Sequence, residues 1–175
     1  MKKVEAAMKK IKLTQGKEAI VDDEDYERLM EHRWHAAKAG NKYYAVRSLP
    51  TQSNGTRKRL KMHRAIINPS KGMEVDHKNG NTLDNRKENL RECTRQQNQA
   101  NRMLGKDNTS GYKGVCYMKK KKSMINEHSK PWVAQIKHNQ KKIYLGIYKT
   151  KEEAARAYDK KAIELHGEFA QLNFP

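Results

Sequence analysis

Cysteine is nearly absent: Cys93 and Cys116 stand alone, neither in a Cys-x-x-Cys pair. No disulfide framework can be built from them, and no zinc-ligand spacing is present, so no zinc is expected and a reducing compartment fits. Long apolar runs are missing as well. No stretch approaches the roughly 18 residues that span a bilayer, no signal-peptide pattern opens the chain, and no strongly amphipathic basic helix dominates it. A cytoplasmic protein without a membrane partner is expected. Hydrophobic residues make up 35% and mean hydropathy is −1.12, so any core is small. Acid is also short, with 20 Asp and Glu against 38 Lys and Arg for a net charge of +18. The excess is spread along the chain, 23 basic against 13 acidic residues in 1–103 and 15 against 7 in 104–175. Both parts are basic, as suits a protein lying along a polyanion, and nucleic acid is the expected partner.

The stretch that organises what is present runs from Met62 to Arg102. Met73 and Val75 lead hydrophobically into Asp76 and His77, and Lys78-Asn79-Gly80-Asn81 then reverses the chain. An acid and an imidazole therefore sit at a strand end. Leu90-Arg91-Glu92-Cys93 reads as the returning strand, and Thr94 opens a helix that carries Asn98 in its first turns. Asp76 and Asn98 each offer an oxygen, the donor type that Mg²⁺ takes, and His77 offers a base largely neutral near pH 7. A metal, a base and a basic protein point to phosphodiester cleavage. Asn79, Asn81 and Asn85 read as turn formers only.

The order Asp76-His77, then Asn89, then Asn98, resembles the HNH endonuclease signature in its H-N-N form, the ββα-metal fold. The flanking M-H-R, D-N-R-x-E-N-L-R and Q-N-x-x-N runs are similar to phage-type homing nucleases, which implies a bacterial or phage-infected host cell. The resemblance implies that Asp76 and Asn98 hold Mg²⁺ or Mn²⁺, that His77 activates water, and that Asn89 braces the loop by hydrogen bonding. His63, in Met62-His63-Arg64, has two readings: it points at the scissile phosphate, or it ties the motif's first helix to the preceding hairpin.

Residues 1–12 carry five lysines and read as a short helix or a basic arm touching phosphate, the arm being favoured. Leu13 to Val21 reads as a hairpin bent at Gln15-Gly16, and Asp22 to Glu31 as a short helix with acids near its start. Trp34 to Ala37, Tyr43 to Ser48 and Arg57 to Met62 read as three strands, with turns at Ala39-Gly40-Asn41 and Ser53-Asn54-Gly55. Arg57 and Arg59 contact DNA backbone, or guard an edge strand by charge. This region is also similar to the N-terminal part of phage HNH proteins, through L-T-Q-G-K and W-H-A…Y-A-V-R. The residues themselves assign it no chemistry.

Arg102 to Ser110 marks a boundary, with 104–110 as the linker. Beyond it, Gly114 to Met118, Trp132 to Lys137 and Lys142 to Tyr148 read as three strands, the last two joined through His138-Asn139-Gln140-Lys141. Alternation puts Ile143, Leu145 and Ile147 on one face and Lys142, Tyr144 and Tyr148 on the other; Trp132, Ala134 and Ile136 oppose Val133, Gln135 and Lys137. Thr150-Lys151-Glu152-Glu153 is a capping box opening a helix with a stripe of Ala154, Ala155, Tyr158, Ala162 and Leu165, closed at Gly167. The S-G-Y-K-G-V opening, the Trp132-Val133-Ala134-Gln135-Ile136 and Tyr144-Leu145-Gly146 strands, the A-A-x-A-Y-D helix and the L-N-F-P ending resemble the Apetala-type, ethylene-response-factor DNA-binding domain. That resemblance implies a sheet entering the major groove through Lys113, Gln135, Lys137, Lys142 and Tyr144. Cys116 and Met118 stand where the plant family commonly has arginines, so its base preferences do not transfer. Lys119 to Lys122, and the loop to Lys130, read as phosphate contacts or a solvated loop.

The expected class is α+β: N-terminal hairpins and a ββα-metal core at 62–103 within a nuclease domain of 13–103, then a three-stranded antiparallel sheet on one helix at 111–175. The expected function is a Mg²⁺- or Mn²⁺-dependent DNA endonuclease, monomeric or transiently dimeric, that nicks one strand per site. Two rivals remain: a non-catalytic DNA-binding regulator with a relic nuclease domain, and an RNA-processing nuclease using the same site.

Overall fold

A computed structural model of the chain describes residues 7–105, 107–118 and 131–175. The fold is α+β, built from small antiparallel sheets and short helices. It divides into two compact units, Met1–Thr94 and Arg95–Pro175.

The first unit opens with strands β1 (Met8–Lys12) and β2 (Glu18–Asp22), paired from Met8↔Asp22 to Lys12↔Glu18. The expected basic arm is thus a strand from Met8 onward; residues 1–6 lie outside the described residues. Gln15 and Gly16 both take positive φ, which matches the right-handed twist of the flanking strands and extends the pairing back to Met8. Ile11 is 3% exposed and belongs to the core, while Lys9 is ion-paired with Asp23 and Lys10 with Glu18. Those lysines serve the hairpin rather than a ligand.

Helix α1 (Asp23–Met30) follows, then β3 (His35–Ala39), β4 (Lys42–Thr51) and β5 (Arg57–Lys61) in one sheet of that order. Trp34 packs with Leu29, Val21, Ala36 and Met62, and its indole N–H donates to the Leu29 carbonyl at 2.8 Å, which satisfies the one polar atom of a large buried ring. Helix α2 (Met62–Ile67) then leads to β6 (Glu74–His77) and β7 (Leu90–Cys93). The β6–β7 loop is held from two sides. Ile20 N–H donates to Leu83 O at 2.8 Å and Asn85 N–H to Ile20 O at 2.7 Å, while Thr82 Oγ1 donates to Tyr43 O at 2.6 Å. The N-terminal strands, which sequence left without a role, are the frame on which this loop is fixed.

The second unit begins with helix α3 (Arg95–Ala100). The division falls before the glycine-containing stretch expected as linker, because the carbonyls of Ala100 and Arg102 are bound by the Lys113 ammonium, which fastens the helix to this second unit. Strands β8 (Val115–Tyr117), β9 (Trp132–His138) and β10 (Lys141–Tyr148) form a sheet of order β10-β9-β8. Helix α4 (Lys151–His166) packs on it, with the expected capping box: Glu153 N–H donates to Thr150 Oγ1 at 3.1 Å, and Thr150 N–H to Glu153 Oε2 at 3.3 Å. Its buried Asp159 accepts from the Asn173 and Phe174 amides, and Asn173 in turn accepts from Lys113 N–H at 2.7 Å. The L-N-F-P ending is thereby stitched to the start of β8.

One face assignment is corrected. The register runs Tyr144↔Gln135 and then Gly146↔Ala134, leaving Leu145 as a bulged residue that shifts the alternation by one. Tyr148 therefore turns inward beside Trp132, and Ile147 comes out opposite Val133. The outward face carries Cys116, Val133, Gln135, Lys137, Lys142, Tyr144 and Ile147.

Candidate active site

In the β6–β7 ribbon Asp76 lies directly opposite Arg91, and His77 opposite Leu90. Successive strand residues face opposite sides, so carboxylate and imidazole flank the strand end. Arg91 Nε and Nη2 donate to one Asp76 oxygen at 3.0 and 2.9 Å. Both side chains are largely buried, and each supplies the countercharge that makes burial of the other tolerable.

His77 turns towards the first unit's sheet, its ring perpendicular to His63 at 4.9 Å between centroids and 6.4 Å from Tyr44. Its Nε2 lies 3.5 Å from Asn85 Oδ1. Asn85 is 1% exposed, and its Nδ2 donates to Leu83 O at 3.1 Å, which fixes the amide with the oxygen towards the imidazole. An amide oxygen only accepts, so this contact favours the tautomer that carries its proton on Nε2. Burial pushes the His77 pKa down, opposed by the Asn85 hydrogen bond and the Asp76 charge. The imidazole is neutral at pH 7, the form a general base requires.

His63 is 6% exposed and shares the wall of this cluster with Tyr44. Burial, then His77, Lys61 and Arg64, push its pKa down to about 3. The unfolded chain accepts a proton on His63 near pH 6.5 and the folded one does not, so folded stability is complete above about 6.5 and falls on acidification towards 3. The slope is at most about 1.4 kcal/mol per pH unit. Urea unfolding between pH 7 and 4 is expected to show this loss in the wild type and a shallower one in His63→Gln; identical slopes would exclude it.

Asn89 accepts from Asn79 N–H at 3.0 Å and donates to Asp84 O at 2.8 Å, pinning the turn after His77. Asp84 is held by Arg86 and by Asn79 Nδ2. Asn98 sits on α3 and so belongs to the other compact unit from Asp76 and His77. Among the described residues no group of three or more His, Cys, Asp or Glu is placed to hold a metal ion. Carboxylate and amide oxygens are of the type that Mg²⁺ takes and differ from the Cys and His donors of a closed zinc site.

Of the residues expected to meet DNA, Lys137, Lys142 and the 61%-exposed Tyr144 lie on the outward sheet face with Gln135. Lys113 does not join them: its ammonium is spent on the carbonyls of Ala100 and Arg102. Arg57 and Arg59 are exposed on β5, an edge strand. Lys119 to Lys130 lie outside the described residues. Sequence reading passed over Asn85, because one asparagine among several in a turn carries no mark of its partner. It also passed over Arg91, whose pairing with Asp76 depends on register.

No helix among the described residues is long and apolar enough to cross a membrane. Residues 68–100 match the family model described as HNH endonuclease, a span that includes Asp76, His77, Asn89 and Asn98. The chain is 50% identical over 46 residues to an ethylene-responsive transcription factor of Arabidopsis thaliana, 25% of this chain and 25% of that protein. It is 53% identical over 45 residues to one from Medicago truncatula (25% and 19%), and 45% identical over 51 residues to a second from Arabidopsis thaliana (28% and 28%). It spans about a quarter of the length of these curated relatives. The chain thus combines an HNH endonuclease match at 68–100 with a short segment similar to ethylene-responsive transcription factors.

Proposed function

We propose that this chain is a divalent-metal-dependent endonuclease that hydrolyses phosphodiester bonds in duplex DNA, held on its substrate by the outward face of the β8–β10 sheet in the major groove. The observation that carries the reading is His77 itself, a buried imidazole whose pKa is pushed down by burial, with Asn85 Oδ1 facing its Nε2, next in sequence to a carboxylate and within the HNH match. His77 takes a proton from water, the hydroxide oxygen bonds to phosphorus in line with the 3′ oxygen, and the P–O3′ bond breaks. The 3′ oxygen is protonated from solvent. Asn89 keeps the turn behind His77 rigid, and His63 packs edge-on against the imidazole and holds its orientation. Asp76 and Asn98 would hold Mg²⁺ or Mn²⁺, which supplies charge stabilisation at the phosphate and the leaving oxygen. Gln135, Lys137, Lys142 and Tyr144 contact the groove, and Arg57 and Arg59 the phosphates. A single site cuts a single strand, so a monomer nicks.

A supercoiled plasmid incubated with the protein is expected to become open-circular in Mg²⁺ and to stay supercoiled in EDTA, with activity restored by adding Mg²⁺ back. A second reading, a DNA-binding regulator without catalysis, is favoured by the naming of three relatives as transcription factors. Retarded plasmid that remains supercoiled at every Mg²⁺ concentration would decide for it.

A further inference from the structure

Strand β8 pairs with β9 only from Trp132 to Ala134, so the stretch Ile136–His138 runs on past its partner. Helix α3 lies against that stretch, with Gln96 Nε2 and His138 Nδ1 3.0 Å apart, and a groove of about 700 Å³ opens beside it. Gly114, Ile136 and Tyr158 line its apolar part. Arg95, Arg102, Lys137 and Lys142 line it too, with Lys113 at the back and no carboxylate among the described residues that line it. None of the four outer cations forms an ion pair among the described residues. Lys113, bound only to carbonyls, has its pKa pushed down to about 8 by burial and then by Arg102.

Five cations around one concavity raise its potential and draw an anion. Several features favour a chain of phosphates over a single one. The guanidinium groups sit on α3 and on the segment after it, the lysines on the two strands, and the neutral amides of Gln99 and Gln135 line the same groove. Charged and neutral donors in one groove suit a sugar–phosphate backbone, in which charged and neutral oxygens alternate. Lys137 and Lys142 are a cross-strand pair and continue the same charge onto the outward sheet face.

We propose that the groove between α3 and the β9 edge is a binding site for the phosphodiester backbone of DNA, making α3 part of the docking surface. This rests on the DNA-binding half of the proposed function and not on cleavage.

The test measures binding of a fluorescent duplex by the full-length chain in EDTA across a salt series. Arg95→Ala/Arg102→Ala is expected to weaken binding roughly tenfold at about 0.15 M salt and to make the slope of log K against log[salt] shallower by about 2, near 0.9 for each lost phosphate contact. Arg95→Lys/Arg102→Lys keeps the wild-type slope. Arg156, over the Phe174 ring on α4 and outside the groove, is the control, and Arg156→Ala leaves affinity within about twofold. An unchanged slope in the double alanine variant overturns the proposal, as does an equal loss in Arg156→Ala. Inorganic phosphate that competes as well per phosphate as duplex DNA would make this a site for single anions, and also overturns it. Nicking in Mg²⁺ is scored separately: protein that binds with the expected slope yet never nicks loses the nuclease reading and keeps the groove.

Discussion

His77→Ala is expected to lower the rate of plasmid nicking by about 10²- to 10⁴-fold, the usual contribution of a positioned general base, with duplex affinity in EDTA unchanged. The size follows from the setting of the imidazole. Water alone is a poor nucleophile towards a phosphodiester, and the base that activates it is neutral because burial disfavours its charged form. Asn85 Oδ1 faces the His77 Nε2 at 3.5 Å and orients the ring. Removing Asn85 Oδ1 while keeping its shape, in Asn85→Leu, should therefore cost less, roughly tenfold, through the tautomer and orientation of the ring. Since alanine leaves a hole at a buried position, His77→Gln serves as the second variant: it preserves volume, cannot act as a base, and should be as slow as His77→Ala. If either His77 variant nicks at the wild-type rate, the assignment of the base is wrong. Restoration of His77→Ala by added imidazole would argue that the lost function is proton transfer rather than structure.

The second large effect falls on stability. Gly114→Ala is expected to destabilise the second unit by about 3 kcal/mol or more, with the denaturation midpoint of the first unit unmoved. Gly114 has φ +73°, a region that costs an L side chain about 1–2 kcal/mol. A Cβ there would lie 1.9 Å from Tyr158 Cδ2 and 2.7 Å from the Gln135 carbonyl oxygen, the second being backbone that cannot swing away. Forcing atoms into a packed core adds typically 1–3 kcal/mol. Tyr158 is itself buried in a cluster with Ile136 and Ala162, so displacing its ring disturbs that packing. Tyr158→Leu should relieve part of the penalty, and the two substitutions should be less than additive in a double-mutant cycle. A Gly114→Ala protein that unfolds at the wild-type denaturant concentration would refute the packing argument.

How much of this was readable in advance differs from element to element. The capping box at Thr150 and the helix it opens are local signals, decided by residues three apart, and they form as written. The hairpin at Gln15-Gly16 was visible in its turn residues, but its first strand was not. A lysine-rich strand with one buried isoleucine looks like an arm until its partner is known. On β10, alternation ordered Lys142, Ile143 and Tyr144 and then failed at Leu145. A bulge arises from how two strands pair, and nothing in one strand's sequence announces it.

The same division runs through the candidate site. The sequence alone determined that an acid, an imidazole and an amide recur at HNH spacing in a basic chain, that the class is α+β, and that one sheet face would be polar and aromatic. Only the tertiary structure decided that Asn85 faces the His77 ring, that Arg91 pairs with Asp76, and that Lys113 fastens α3 instead of facing outward. Spacing along a chain records which groups are available, because residue type and local periodicity are properties of neighbours. Register and packing record which groups meet, because those contacts join residues 8 to 65 positions apart, such as His77 with Asn85 and Asp22 with Lys87.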